Sequence, residues 1–381
     1  MDYTIQKLGF KVKKVLRYFR LYGVRRTIMK VKGQYHMKRK YDDLPAMKED
    51  SSISQAHIGI MGCGNYAFSN IAFYLNEANP NLIRGVMDVD VHRAASLFEN
   101  YGAFYFTDNV ERIVNDKDID LVYIASNHAS HAEYAIRCIE AGKHVHIEKP
   151  HVVSEDQLAR LVAAMRANAS SKVFLGFNRP RTKLFQILKA LLSKETGPLM
   201  INWFVAGHEI PDDHWYFDEK EGGRVLGNLC HWTDLTLQLV GLENAFPCQI
   251  VPSVPPGSKS DFIVSLIFAD QSCASITFSA KGHTFEGVRE VLNIHKGNLL
   301  GNLTDFQELK VEILEQKIVR RQFYRDHGHS LNILNSLSSD RGEDPRYVIA
   351  TAKLFLAIRR AIDVGSGLIL SSDDAMGLAH E

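Results

Sequence analysis

The 381-residue sequence predicts an α/β protein in two parts. An N-terminal Rossmann dinucleotide-binding domain precedes a C-terminal α/β domain built on a mostly antiparallel sheet, and an extra basic amphipathic helix stands in front. Three observations predict this. From residue 56 onward short apolar runs alternate with helical periodicity, the pattern of βαβ units and a parallel sheet. A glycine-rich turn, "GIMGCGNYA", sits between the first such strand and the first helix. After about residue 180 strand-like runs follow one another closely with few helices between them, the texture of antiparallel strands.

The first segment, residues 1–50, is a basic arm and linker. Residues 1–40 hold thirteen Lys and Arg against one acid, a charge of +12, which leaves −11 on the remainder. Ile5, Leu8, Val12, Val15, Leu16 and Phe19 fall on one helical stripe, with Gly23 a stop signal. Such a helix is expected to bury its stripe on an anionic membrane surface or an acidic partner, including another subunit. "YDDLPAMKEDSSISQ" reads as a linker. Residues 51–178 are the Rossmann domain, with strands in "HIGIMG", "LIRGVMD", "LVYIAS", "HVHIEKP" and "KVFLGF", and with Ser154 as the N-cap of the helix "SEDQLARLVAAMRAN". Residues 179–381 are the substrate and oligomerisation domain, whose last helix, "YVIATAKLFLAIRRAIDVG", can pack back on the first domain.

Composition narrows the class. The chain is 45% apolar and 23% charged, ordinary for a soluble globular protein, and its net charge of +1 gives no overall field for nucleic acid. Five scattered cysteines without a CxxC pair read as a reduced, cytoplasmic protein with neither disulfides nor a zinc module, and no metal site is expected. There is no run of eighteen apolar residues and no secretory h-region.

The chemistry gathers at strand ends. Gly62, Gly64 and Ala67 form G-x-G-x-x-A, the context in which backbone N–H groups and a helix dipole hold a pyrophosphate, with Asn65 in the same turn. Asp88 ends the second strand 26 residues after Gly62, where an acid accepts the ribose hydroxyls; it favours NAD over NADP, although Arg93 keeps NADP open. Asn127 and His128 end the fourth strand, and His131 opens the next helix; they are cofactor candidates, or polar caps. "AGKHVHIEKP" places Glu148 and Lys149 at the carboxyl end of a buried strand, and Pro150 forces the chain to turn there. The alternative is a dispensable surface ion pair. His231 and Asp234 stand at i and i+3, so a carboxylate can orient an imidazole, or the two are a plain helix-start pair. His214, Trp215 and Tyr216 offer an aromatic face to sugar C–H groups. Asn178, Arg179 and Arg224 are further substrate candidates, Arg224 for an anionic group such as a diphosphate.

The Gly62-x-Gly64 turn, Asn127-His128, "AGKHVHIEKP", "GFNRP" (176–180) and "EGGRVLGNLCHWTDL" (221–235) resemble the Gfo/Idh/MocA oxidoreductases over roughly residues 56 to 370. The resemblance implies a Rossmann domain, an α/β domain whose open sheet supports a dimer or tetramer, and hydride transfer between nicotinamide and a sugar, cyclitol or nucleotide-sugar carbon. Lys149 then polarises the reacting oxygen and His231, held by Asp234, takes its proton, while Glu148 positions Lys149 and joins the cofactor contacts. Many members carry aspartate four residues before the histidine; here that position is Gly227, followed by Asn228, itself a substrate candidate. "GGRVLGNLCHWTDL" and "DDHWYF" look more like the branch found with bacterial surface-polysaccharide genes. The alternative function is a non-catalytic dinucleotide-binding scaffold for glycan-synthesis enzymes.

Overall fold

The computed structural model of the chain describes residues 3–47, 56–282 and 284–376. Strands β1 (Ile58–Met61), β2 (Ile83–Met87), β3 (Tyr105–Thr107), β4 (Leu121–Ile124), β5 (His144–Ile147) and β6 (Val173–Leu175) form a parallel sheet in the order β3-β2-β1-β4-β5-β6. Every residue of β1 and β4 is buried, which explains their unbroken apolar runs. The strand order reverses between β1 and β4, and such a switch point opens a crevice at the carboxyl ends of the strands.

A second, nine-stranded sheet carries the rest: β7 (Met200–Ala206), β8 (Cys248–Ser253), β9 (Phe262–Ile267), β10 (Cys273–Ser279), β11 (Arg289–Lys296), β12 (Leu299–Thr304), β13 (Glu308–Ile313), β14 (Gln316–Arg321) and β15 (Leu368–Leu370). All its pairings are antiparallel except β7 with β10. Burial alternates along β9, so Phe262, Val264 and Leu266 face the core while Ile263 and Ile267 face out. Met200, Phe204 and Leu300 are also exposed, so the outer face of this sheet is apolar and open.

Helices α1 (Leu8–Tyr22) and α2 (Val24–His36) form the arm. Helices α3 (Ala72–Ala78), α4 (Val91–Tyr101), α5 (Val110–Val114), α6 (His128–Glu140) and α7 (Glu155–Ala167) belong to the parallel sheet. The Ser154 side chain caps α7 by accepting from the Gln157 N–H. Then come α8 (Lys183–Leu192), α9 (Cys230–Val240), α10 (Leu242–Ala245), α11 (His329–Ser338), α12 (Pro345–Val364) and α13 (Ser372–Met376). The last long helices return to the first domain: Tyr123 Oη donates to the Ile333 carbonyl at 2.8 Å, His146 Nδ1 lies 2.8 Å from Ser336 Oγ, and His151 Nε2 lies 3.0 Å from the Val348 carbonyl.

The arm departs from its sequence reading. A second helix follows Gly23, and the hairpin packs on its own chain rather than waiting for a partner. In α1, Lys14 donates to the Phe285 carbonyl and Arg17 pairs with Glu286; the Leu21 carbonyl accepts from the Arg325 N–H at 2.8 Å. In α2, Arg26 donates to Ser69 O and Asn70 Oδ1, and His36 stacks on Phe68 with ring centroids 4.2 Å apart. The apolar stripe stays outside: Ile5 and Leu8 are 76% exposed and Leu16 60%. The packed face is aromatic and cationic instead, with the Lys14 ammonium 4.8, 4.7 and 5.0 Å from the ring centres of Tyr3, Tyr18 and Phe285. Lysine stems and aromatic rings bury together through cation–π attraction, which a count of apolar residues does not register.

Candidate active site

The crevice begins where β1 ends. Gly62 has φ 88, and a β carbon there would sit 2.5 Å from Ala125 C and Ser126 N, so both conformation and contact demand glycine. Nothing lies within 4 Å of a β carbon at Gly64, which leaves the backbone open to the close approach a pyrophosphate requires. Ala67–Ile71 widen into a π-helical turn before α3. Asp88 fixes its carboxylate at the rim by accepting from the Cys63 N–H at 2.7 Å and the Asp90 N–H at 2.9 Å. Gly62, Gly64, Asn65, Asp88, Asn127, His128, His131, Glu148 and Lys149 all line one cleft of about 580 Å³. Arg93 and Met37 line it too. Met37 was not legible as a site residue; α2 delivers it, held by His36, whose Nε2 lies 2.7 Å from the Cys63 carbonyl and whose Nδ1 lies 2.9 Å from Ser96 Oγ. The open Gly64 backbone, the rim carboxylate and the buried Asn65 Oδ1, which lacks a hydrogen bond, fit a dinucleotide.

Glu221, from the second domain, organises the far wall. Its carboxylate accepts from Asn127 Nδ2 at 2.6 Å and from the Ala129 N–H at 3.0 Å, capping the start of α6. Its carbonyl lies 2.9 Å from His128 Nδ1, and that ring packs 4.8 Å from Trp215 and 4.6 Å from Tyr216. His131 has both ring nitrogens on backbone carbonyls, Pro150 at 2.8 Å and Ser126 at 3.1 Å, so it fastens the "EKP" segment. Burial is the largest influence on both imidazoles and holds them below their ordinary range.

Lys149 crosses the cleft to the second domain, where its ammonium donates to the Gly227 carbonyl at 2.7 Å. Position 227 has no room for the aspartate of many relatives: a β carbon would lie 2.6 Å from His128 Cε1 and 2.7 Å from Tyr216 Cε2. The sequence reading expected Glu148 to position Lys149; it is buried and does so at the Lys149 backbone, not at the ammonium. Its carboxylate bonds the Lys149 backbone N–H at 3.3 Å, lies 3.6 Å from His146 Nε2, and reaches the Tyr66 phenol. A β carbon at Gly176 would sit 2.6 Å from that carboxylate, which is why the strand end is glycine.

His231 is buried at the start of α9, and its Nδ1 has no partner. Burial, then the positive charges of Arg179 and Lys149, hold its imidazole well below the usual range. Asp234 does not orient it. The Asp234 carboxylate turns into the core and accepts from Tyr347 Oη and Thr351 Oγ1, and burial pushes it up to about 7. Residues three apart point about 60° apart around a helix axis. Here that angle turns the Asp234 carboxylate to α12 and leaves His231 on a different line.

The loop ahead of α11 supplies groups that sequence reasoning missed. His329 Nδ1 lies 3.2 Å from Tyr66 Oη, and His327 Nε2 lies 3.5 Å from Glu290 Oε1. Glu290 Oε2 accepts from Arg179 Nε at 2.8 Å and Trp232 Nε1 at 2.9 Å, so Arg179 is anchored beside His231. Buried polar atoms without a hydrogen bond concentrate here: His231 Nδ1, Asn228 Oδ1, and the His327 Nε2 and Glu290 Oε1 that face each other at ion-pair distance. The signal in sequence was "HGH" (327–329), two histidines around the Gly328 that caps α11. Two candidates lie elsewhere. His214 folds back to accept from the Tyr216 N–H at 3.2 Å, and Arg224 is buried away from the cleft, donating to the His208 carbonyl and lying 5.3 Å over the Phe278 ring. Arg224 carries its positive charge into the second domain's core, where a diphosphate cannot reach it. No group of His, Cys, Asp and Glu among the described residues is arranged to hold a metal ion.

Fold and cleft together define a two-domain protein with a dinucleotide site at the switch point of its parallel sheet. Residues 56–177 match the model of the Gfo/Idh/MocA oxidoreductase family, described as having an NAD-binding Rossmann fold. The chain is 34% identical to Oxidoreductase P35 of Formosa agariphila over 141 residues, 36% of this chain and 43% of that protein. It is 30% identical to inositol 2-dehydrogenase of Ralstonia nicotianae over 200 residues, 51% of this chain and 57% of that one. The chain thus spans about half the length of these curated relatives. In fold it is similar to levoglucosan dehydrogenase in complex with NADH and levoglucosan (TM-score 0.70, 17% identity, covering 82% of this chain and 98% of that one). It is likewise similar to GenD2 from gentamicin A biosynthesis in complex with NAD (TM-score 0.70, 18% identity, 87% and 99% covered).

Proposed function

We propose that the protein is an NAD-dependent dehydrogenase of a sugar or nucleotide-sugar carbinol, or the reverse reductase, working in surface-polysaccharide synthesis. The observation that carries this is that the Lys149 ammonium, in the dinucleotide cleft, reaches the Gly227 carbonyl just ahead of α9, whose first turn holds His231 with its Nδ1 unbonded. The nicotinamide, when bound, accepts or returns the hydride. Lys149 is placed to donate to the reacting oxygen and stabilise its developing charge. His231 Nδ1 is free to take the hydroxyl proton. Trp215 and Tyr216 offer ring faces to sugar C–H groups, and Arg179, anchored by Glu290, offers donors to hydroxyls. The polysaccharide assignment rests on the likeness of "GGRVLGNLCHWTDL" and "DDHWYF" to that branch. The open apolar face of the second sheet supports a homo-oligomer.

The test is turnover of a panel of sugars, cyclitols and nucleotide sugars followed at the nicotinamide absorbance. Lys149→Ala and His231→Ala are each expected to lower kcat by about a hundredfold or more, the scale for losing a positioned proton-transfer group, with NAD affinity kept within a few-fold. Bound NAD with no turnover on any of these substrates would put the scaffold function ahead.

A specific observation favours a peripheral site of work at the inner face of the cytoplasmic membrane. Leu8, Val12 and Leu16 on α1 and Val24, Ile28 and Val31 on α2 are exposed, flanked by exposed Lys13, Arg20, Arg25 and Lys32. An apolar stripe between basic residues matches an anionic bilayer. Among the described residues no helix is long and apolar enough to cross a membrane.

A further inference from the structure

A cavity of about 200 Å³ lies between α1, α2 and the residues just after the glycine-rich turn. Its charged lining is Lys11, Lys14 and Lys30, with no carboxylate, and the uncharged polar groups of Thr4, Gln34 and Ser69 complete it. Among the described residues none of the three lysines is in an ion pair. Glu286 acts on Lys14 but is already paired to Arg17, Arg289 and Arg325. The charges around Lys30 are all positive: Arg26, Lys14 and Arg325. Its ammonium has only rings for company, 4.8 Å from the centre of Tyr22 and 6.0 Å from that of Tyr18. Burial, then these like charges, push it down to about 7. Lys14 is buried and Lys11 and Lys30 half-buried; Lys11 and Lys14 donate to the Thr4 and Phe285 carbonyls, and neither carbonyls nor ring faces replace a counter-charge.

We infer that the arm builds a subsite for a phosphate-type anion, gripped by Lys14 and Lys30 with Lys11 at its edge. The subsite adjoins the reaction cavity. Asn65 lines both it and the dinucleotide cleft, and the Lys30 charge acts on His327 and His329. A substrate whose sugar lies between Lys149 and His231 can therefore reach it with a phosphate group. This narrows the substrate class to phosphate-bearing sugars, and in that respect rests on the proposed dehydrogenase reading; the anion site itself does not.

The experiment uses the full-length protein saturated with NAD, so that the Gly62–Gly64 turn is taken, and inorganic pyrophosphate as probe. Lysine acylation read by mass spectrometry is expected to show Lys14 and Lys30 protected by pyrophosphate, with exposed Lys7 and Lys32 unchanged. In calorimetry Lys30→Gln and Lys14→Gln are each expected to weaken pyrophosphate about tenfold, as for loss of one charge-assisted contact, and to leave NAD affinity unchanged. Absence of binding, binding without protection of these two lysines, or unchanged affinity in both variants would overturn the site. If a variant does not fold, the wild-type protection pattern decides. Protection by anionic vesicles but not by soluble pyrophosphate would keep the anion site and overturn its assignment to substrate. Protection by pyrophosphate without turnover of any sugar would keep the site and overturn the dehydrogenase reading instead.

Discussion

Alanine at position 227 tests how the reactive lysine is held. Its β carbon would fall 2.6 Å from His128 Cε1 and 2.7 Å from Tyr216 Cε2, well inside the roughly 3.5–4.0 Å of an ordinary carbon contact. His128 cannot retreat easily, because Trp215 packs 4.8 Å away and Nδ1 is tied to the Glu221 carbonyl at 2.9 Å. The backbone at 227 must therefore give, and with it the carbonyl that receives Lys149 at 2.7 Å. Overpacking of this kind costs about 1–3 kcal/mol, or roughly 1–4 °C in Tm for a chain of this size. The displaced carbonyl leaves Lys149 mispositioned, and kcat is expected to fall about tenfold, the scale of an ångström-level misplacement tempered by the length of the lysine stem. Gly227→Asp should do more harm, since it adds a carboxylate to the same clash. Calorimetry gives Tm, nicotinamide absorbance gives kcat, and an NAD titration serves as control. A Gly227→Ala protein with Tm and kcat both at wild-type values would show that the rings yield freely and that the Lys149–Gly227 bond is incidental.

Three further outcomes are expected. Burial holds His151 down to about 4, against 6.5 in the unfolded chain, so the unfolded state binds its proton more tightly. Stability is then complete above the unfolded value and is lost as pH falls through the folded one, by up to about 3 kcal/mol for this group; a urea midpoint identical at neutral pH and at pH 5 would contradict it. NAD is expected to bind more tightly than NADP in calorimetry because the Asp88 carboxylate repels a 2′-phosphate, and Asp88→Ser should narrow the gap; equal affinities in the wild type would remove the assignment. Wild-type protein should sediment with anionic vesicles and Val12→Glu/Leu16→Glu should not, while vesicle binding unaffected by these changes would exclude the outer stripe.

The sequence carried the parallel domain well, because its turns, strand ends and caps are local. Gly62 takes a positive φ in the turn that leaves β1, Gly64 leaves that turn's backbone open, and Ser154 caps the helix it precedes. What escaped was long-range. The acceptor for Lys149 is a backbone carbonyl 78 positions away, and backbone atoms leave no trace in residue type. Glu221 reads as an ordinary acid until the domains meet and place it over α6. His231 and Asp234 share a helix, yet α12 claims the carboxylate. For the arm, hydrophobic periodicity identified a stripe that stays exposed, and not the second face that packs on the chain. Its packing runs through Lys14, Arg26 and His36, polar by any scale and buried by partners from distant segments.

The hairpin also works as a splint. One limb is fixed to the second domain through Phe285, Glu286 and Arg325; the other is fixed to the first through Cys63, Ser69 and Ser96. The joint between two such bodies is ordinarily free to swing on the millisecond scale, and that swing loads and unloads the cleft. A rigid brace across the joint makes opening contingent on breaking contacts far from the chemistry. Any change that a grip on the hairpin makes to the affinity of the cleft must be returned as an equal change in that grip when the cleft fills.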